Sequence, residues 1–233
     1  MGPEDMERAI LLRAKGYTAK QIARALGVPQ AAVVAFIRQS ARSDSRSAAE
    51  RELKACWVNA GWGDGLLVDG RVDWPDRPHL EPAVGGLVAV LVARDAGRDR
   101  VSVCGYLVDV YFLGIKNVIG PRLLNDQQHA QFTRTYYAAF EQPPIAAPIE
   151  LAQQLVLGAA RYARGFGLEP APGFDEVRGH LGEWSGDRVI TFGYNGHPFY
   201  VQGPHDDPRR IADALRRAEG RAAAVEATDL VGV

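Results

Sequence analysis

The chain has 233 residues, 47% of them hydrophobic and 24% charged, with 27 Lys and Arg nearly balancing 28 Asp and Glu. This is a globular composition, sufficient for one medium domain with a small appendage or for two domains, and it excludes the disordered class. The longest apolar run, Ala83 to Ala93, is too short to span a bilayer, and the two cysteines, Cys56 and Cys104, exclude a disulfide framework and a cysteine zinc cluster.

The opening MGPEDMERA is acidic and lacks the basic-then-apolar pattern of a secretory leader, so a cytoplasmic location is expected. Charge is uneven along the chain. Residues 1–42 hold seven Lys or Arg against three Asp or Glu, whereas residues 43–233 hold 20 against 25. A basic head on an acidic body suits a head that touches phosphate while the body does something else.

In chain order, a first helix is expected from Pro3 to Lys15, with Glu4, Asp5 and Glu7 complementing its N-terminal dipole and Gly16 ending it. Thr18 caps a second helix running to Leu26, Gly27-Val28-Pro29 makes a turn, and a third helix runs from Pro29 to about Gln39. Apolar residues at Ile22, Leu26, Val28, Val33 and Phe36 would form one inward face. The serine-rich stretch after Gln39 reads as a linker. This divides the chain into a head at 1–42, a linker at 43–49 and a body at 50–233.

Within the body, Ala48 to Ala60 reads as helical, and Gly63 to Gly86 as a long Gly-, Pro- and Asp-rich loop of the kind used as lids, binding loops or insertions. Leu87 to Ala93 and Val101 to Leu113 read as strands joined by a turn at Asp95 to Asp99. Helices are expected at Asp126 to Phe140, Pro148 to Arg164 and Phe174 to Leu181. The second is apolar nearly all round, which suits the middle of a core or a subunit interface. Asn195-Gly196 would join strands Arg188 to Tyr194 and Phe199 to Gln202 in a hairpin, and Asp206-Asp207-Pro208 would open a last helix. The predicted fold class is α+β: a three-helix helix-turn-helix head, then an antiparallel sheet with helices packed on one face.

The segment TAKQIARALGVPQAAVVAFIR, Thr18 to Arg38, resembles the helix-turn-helix domains of sigma-factor and resolvase-like proteins, and the resemblance implies DNA binding. It would present Pro29, Gln30, Ala31, Val34, Ala35 and Arg38 to the major groove. Base edges are read chiefly by Arg, Lys, Asn and Gln, so only Gln30 and Arg38 qualify. Lys20, Arg24, Arg38 and Arg42 suit phosphate contact, which positions a protein without reading sequence. DNA of low specificity is the expected partner, with a homodimer as the expected assembly. The alternative is that Ala31, Val34 and Ala35 pack against protein.

In the body, YLVDVYFLGIKNVIGPR (Tyr106 to Arg122), LAQQLVLGAARYARGFGLEPAPGF (Leu151 to Phe174) and GHPFYVQGPHDD (Gly196 to Asp207) resemble a functionally uncharacterised bacterial family. The resemblance implies a domain that accepts small accessory domains and names no reaction. Phe112 stands where that family tends to have cysteine, so a cysteine nucleophile fails here.

Asp109, in the middle of an apolar strand face, is costly unless paired. With Lys116 and Arg122 it would make a polar site if the body is an enzyme, Asp109 acting as a base or metal-binding carboxylate; otherwise it is a structural ion pair. Lys116-Asn117 with Gly120-Pro121-Arg122 would make an anion-binding loop or a solvated turn. His79, His129, His180, His197 and His205 lack metal-ligand spacing, and no metal or cofactor is expected. Trp57 and Trp62 are expected to anchor a helix to the sheet, and Trp74 to be exposed. A small-molecule or protein ligand of the body completes the expected partners.

Overall fold

The computed structural model describes residues 2–14, 17–37, 49–71, 73–77, 86–203 and 206–231. The head consists of α1 (Pro3–Ala14), α2 (Ala19–Leu26) and α3 (residues 30–37). Thr18 and Gln21 form a capping box at the start of α2, each side chain accepting the other's backbone N–H, so two donors that the helix cannot satisfy itself are paired. Gly27 closes the helix at φ 66°, in the left-handed region where a side chain would be strained, and its N–H returns to the Ala23 carbonyl. Ala9, Ile22, Ala23 and Val33 form the buried centre, with Leu12, Leu26, Val28 and Phe36 packed around it. The linker expected at 43–49 lies outside the described residues except for its last position.

The body is built on a five-stranded antiparallel sheet of order β5-β4-β3-β1-β6, from β1 (Leu53–Val58), β3 (Leu87–Asp95), β4 (Arg100–Asp109), β5 (Gly114–Asn125) and β6 (Ile145–Ala146). A second, two-stranded sheet pairs β2 (Leu67–Val68) with β7 (Ile190–Thr191). One face of the large sheet, carrying Cys56, Val58, Val88, Val90, Val92, Cys104, Tyr106 and Val108, is covered by helices. These are α5 (Ile149–Gln153), a π-helical turn (Gln154–Gly158), α6 (Ala159–Arg164) and α7 (Phe174–Val177), the last running into a 3-10 turn at Arg178–Leu181. The apolar helix of the sequence lies in the core, with Leu151, Leu155, Val156 and Ala159 fully buried. The opposite face carries Ala89, Leu91, Ala93, Val101 and Val103, and aromatic residues in and after α4 (Asp126–Tyr136) cover it. The fold is α+β as expected, and the sheet is covered on a second face as well. The last helix, α8 (Pro208–Val231), starts where Asp207 Oδ1 accepts the N–H groups of Arg209 and Arg210.

Three sequence expectations change. Residues 53–58 form a strand, not part of a helix, because Cys56 and Val58 bury on one face while Ala55 and Trp57 pack on the other, a period of two that only a paired strand satisfies. The strand expected at Val101 to Leu113 ends at Asp109, and after a turn at residues 110–113 a twelve-residue strand follows. That strand escaped notice because two bulges interrupt its alternation, an extra residue at Lys116 and another at Gly120-Pro121. The hairpin around Asn195-Gly196 makes a single bridge, Tyr194 to His197, and only Ile190–Thr191 is strand. Its backbone donors go instead to the β4–β5 turn, Gly193 N–H to Val110 O at 3.0 Å and Phe199 N–H to Tyr111 O at 3.3 Å.

The described part of the Gly63 to Gly86 segment is packed at Leu66 and Trp74 and exposed at residues 67–70. Asp76 accepts the N–H groups of Gly61, Gly63 and Arg77, the Trp62 indole donates to Pro75 O at 2.9 Å, and Trp74 meets Trp62 edge-on. Trp74 is therefore buried, at 7% exposure, against the expectation of an exposed ring; its apolar surface is spent on Trp62 and under the Arg71 guanidinium. Trp57 sits on β1 itself and meets His129 of α4 at 5.3 Å between ring centroids.

At Gly105 a Cβ would stand 2.8 Å from the Tyr136 ring, so the glycine lets an aromatic side chain lie across the sheet. Gly105→Ala is expected to lower unfolding free energy by about 1–3 kcal/mol, read from urea denaturation midpoints, because the ring must move off its rotamer.

Candidate functional site

In the head, Lys20 and Arg24 are exposed one turn apart on α2. Gln30, Ala31 and Ala35 are exposed on α3, and Val34 is half-buried. The outward face of α3 is thus not covered by the described part of this chain. Arg38 and Arg42 lie outside the described residues. The head also leaves apolar residues exposed, Met6, Ile10 and Leu11 on α1 together with Tyr17.

Of the three residues expected to make a polar site in the body, Asp109 and Lys116 lie within electrostatic reach of each other without a hydrogen bond between them, and Arg122 stands apart. Asp109 is 3% exposed, and its Oδ1 accepts the N–H groups of Tyr111 at 3.0 Å and Phe112 at 2.9 Å, which shapes the turn between β4 and β5. Burial raises its pKa above the usual carboxylate value, against the pull of those N–H groups and of Lys116. Lys116, bulged out of β5, donates to Asp206 Oδ1 at 2.9 Å. Asp206 Oδ2 also accepts from Gly203 N–H at 2.8 Å and Tyr200 Oη at 3.2 Å. Burial pushes the Asp206 pKa up, but the Lys116 ammonium and these donors outweigh it and hold it low. This pair ties the start of α8 to the sheet. Arg122 is six residues further along β5, roughly 20 Å at the rise of an extended strand, and its guanidinium lies 5.0 Å over the Phe132 ring. The Lys116 to Arg122 segment is strand, so it does not form the anion-binding loop considered from the sequence.

A different polar cluster closes one end of the main core. Arg94 of β3 is 7% exposed and donates to backbone carbonyls only: Nε to His180 at 2.7 Å, Nη1 to Arg51 at 2.7 Å and to Ala49 at 3.2 Å. Ser102 pairs with Arg94 across the strands, and its Oγ shares a hydrogen bond of 2.8 Å with His180 Nε2. His180 is 2% exposed, and its Nδ1 has no hydrogen-bond partner among the described residues. A serine–histidine pair is one element of nucleophilic catalysis; here both residues are buried, and among the described residues no carboxylate is hydrogen-bonded to the imidazole. Burial, followed by the Arg94 and Arg51 charges, lowers the His180 pKa to about 4. Sequence reading passed over this cluster, although an arginine closing the otherwise apolar run LVAVLVAR was its visible sign.

Next to this cluster is a cleft of about 580 Å³ lined by Leu157, Ala160, Phe174, Trp184 and three arginines, Arg161, Arg164 and Arg178. One wall, residues 182–184, belongs to a stretch running to residue 187 that has no helix or strand of its own and is held by side chains from the core helix. Gln153 Nε2 donates to Leu181 O and Glu183 O, Gln154 Nε2 to Asp187 O, and Arg161 Nη1 to Gly186 O. Among the described residues no group of three His, Cys, Asp or Glu side chains is placed to hold a metal ion. Nor is any helix long and apolar enough to cross a membrane.

The fold is thus α+β, a head of three N-terminal helices followed by a five-stranded antiparallel sheet with helices, in which Arg94 and Asp109 are buried charged side chains held by hydrogen bonds. No family model, curated protein or solved structure matches the chain.

Two predictions follow from the buried groups. The unfolded chain protonates His180 near 6.5 and the folded one only near 4, so stability falls as pH drops from 6.5 to 4 and levels off below; the His180 contribution is about 3 kcal/mol. Urea unfolding of the wild type and His180→Gln across pH 7 to 4 measures it, and an identical slope in both would assign the effect to another group. Asp109→Ala should cost about 1–3 kcal/mol by leaving two buried N–H groups unpaired, whereas Asp109→Asn, which keeps an acceptor, should lose less than half of that in the same assay.

Proposed function

We propose that this protein associates with DNA in the cytoplasm through its head, with low sequence specificity and as a homodimer, and that the body binds a ligand or partner. The observation that carries the reading is the capped α2, the left-handed Gly27 turn and the uncovered outward face of α3 in one unit, with Lys20 and Arg24 exposed beside it. A recognition helix with one described base-reading side chain, Gln30, suits phosphate tracking better than sequence reading. The resemblance to sigma-factor and resolvase-like heads and the basic balance of residues 1–42 support the same reading.

A second reading, in which the head docks on protein, is favoured by the exposed Met6, Ile10 and Leu11 of α1. An enzymatic site around Asp109, Lys116 and Arg122 gains no such support, since the three groups serve separate parts of the fold.

Fluorescence anisotropy with a mixed-sequence duplex of about 30 base pairs distinguishes the first two. The expected result is salt-sensitive binding, weakened about tenfold or more at low salt by Lys20→Ala with Arg24→Ala, and by a similar factor on unrelated duplexes. Binding that is absent at low salt, or indifferent to the double substitution, would overturn the DNA reading and favour protein docking.

A further inference from the structure

We infer that the arginine-lined cleft between α6, α7 and residues 182–184 is a binding site for a small phosphate monoester carrying a flat aromatic ring, of mononucleotide size. Three guanidinium groups from two elements, Arg161 and Arg164 on α6 and Arg178 after α7, share one concavity with a single lining carboxylate, Glu183. Bringing like charges together in this way is unfavourable unless an anion joins them.

Their present partners are weak competitors. Arg164 Nε meets Glu169 at 3.1 Å with the two side chains 44% and 71% exposed, and Arg178 stands 4.0 Å from Asp175 with both side chains more than half exposed. Pairs so solvated contribute little and exchange readily for a phosphate, whose oxygens match the guanidinium fork. Arg161 rests on the Gly186 carbonyl, which orients it without neutralising it.

The rest of the lining includes Leu157, Ala160, Phe174 and Trp184, and the Arg161 guanidinium lies 6.0 Å over the Trp184 ring, so a planar ring entering the cleft would stack beside this cation–aromatic pair while its phosphate reaches the arginines. The volume, about 580 Å³, falls within the range usual for small-molecule sites. The site is also built. Gln153, Gln154 and Arg161 pin the wall to the core helix, and the Arg94 guanidinium lies directly behind Gly182, 3.1 Å from where a Cβ would stand. A continuous nucleic-acid strand fits worse, because Glu169, Asp175 and Glu176 line the adjoining cleft that shares Arg164 and Phe174. A polyanion would meet these acids next to the basic site.

Titration calorimetry of the full chain with adenosine 5′-monophosphate, and separately with inorganic phosphate, tests the assignment. Saturable binding of the nucleotide is expected, at least tenfold weaker for Arg164→Gln with Arg178→Gln. Trp184→Leu should narrow the preference for the nucleotide over inorganic phosphate several-fold. Should the double variant fail to fold by circular dichroism, Arg178→Gln alone, at an exposed side chain, carries the test with an expected loss of about threefold or more. No saturable binding at millimolar nucleotide, or binding unchanged by the arginine substitutions, overturns the proposal. So does a loss of duplex binding in the arginine variants, which would make the cleft part of a nucleic-acid surface. Failure of the head to bind duplex leaves this site's own titration intact, so the two readings fail separately.

Discussion

One charge has to be kept inside this body, and the arrangement around it fixes much else. The Arg94 guanidinium is buried with no carboxylate partner among the described residues, at a cost that close hydrogen bonding offsets. Its solution is to gather backbone carbonyls from three distant parts of the chain. Residues 49 and 51 come from the segment leading into β1, residue 180 from the 3-10 turn after α7, and the side chain itself from the central β3. The ends of three elements are thereby drawn to one point, and burial, aided by the positive charge there, keeps the adjacent His180 neutral and available to Ser102.

The same device shapes the surface above it. The turn that Arg94 holds leads straight into residues 182–187, an irregular stretch that has few backbone partners of its own. Side-chain amides from the helix below replace them. Gln153 and Gln154 stand where the helix passes into its π-turn, and π-turns re-aim side chains that a regular helix would place elsewhere. A buried cation, a helix irregularity and a cleft are consecutive consequences of one packing problem.

The sequence was legible where local chemistry decides structure. Thr18 and Gln21, Gly27, the Asp95 to Asp99 turn and Asp207 before Pro208 specify caps and turns through their own side chains or backbone freedom, and each lies where its chemistry requires. It was less legible where partners distant in sequence decide. Residues 53–58 are acceptable helix formers that become a strand only because β3 and β6 are there to pair with. Trp74 looked exposed among prolines and aspartates because nothing local announces Trp62 as its neighbour. The polar groups followed the same rule. Asp109 was recognisable as a buried carboxylate, but its partners proved to be the N–H groups of the next turn, while the partner of Lys116 lies ninety residues away. Arg161, Arg164 and Arg178 carry no shared motif and meet only through tertiary packing.

β5 is the outermost strand of the sheet and, at twelve residues, its longest, with Leu123 exposed on it. An edge of that length ordinarily invites a neighbouring chain to add a strand. Here the row of donors is interrupted by Pro121, which has none, and the bulge at Gly120-Pro121 throws the strand out of register with any straight partner. At the other edge β6 offers only two residues. Addition of a further strand is therefore disfavoured along the second half of β5 and has little ladder to extend at β6.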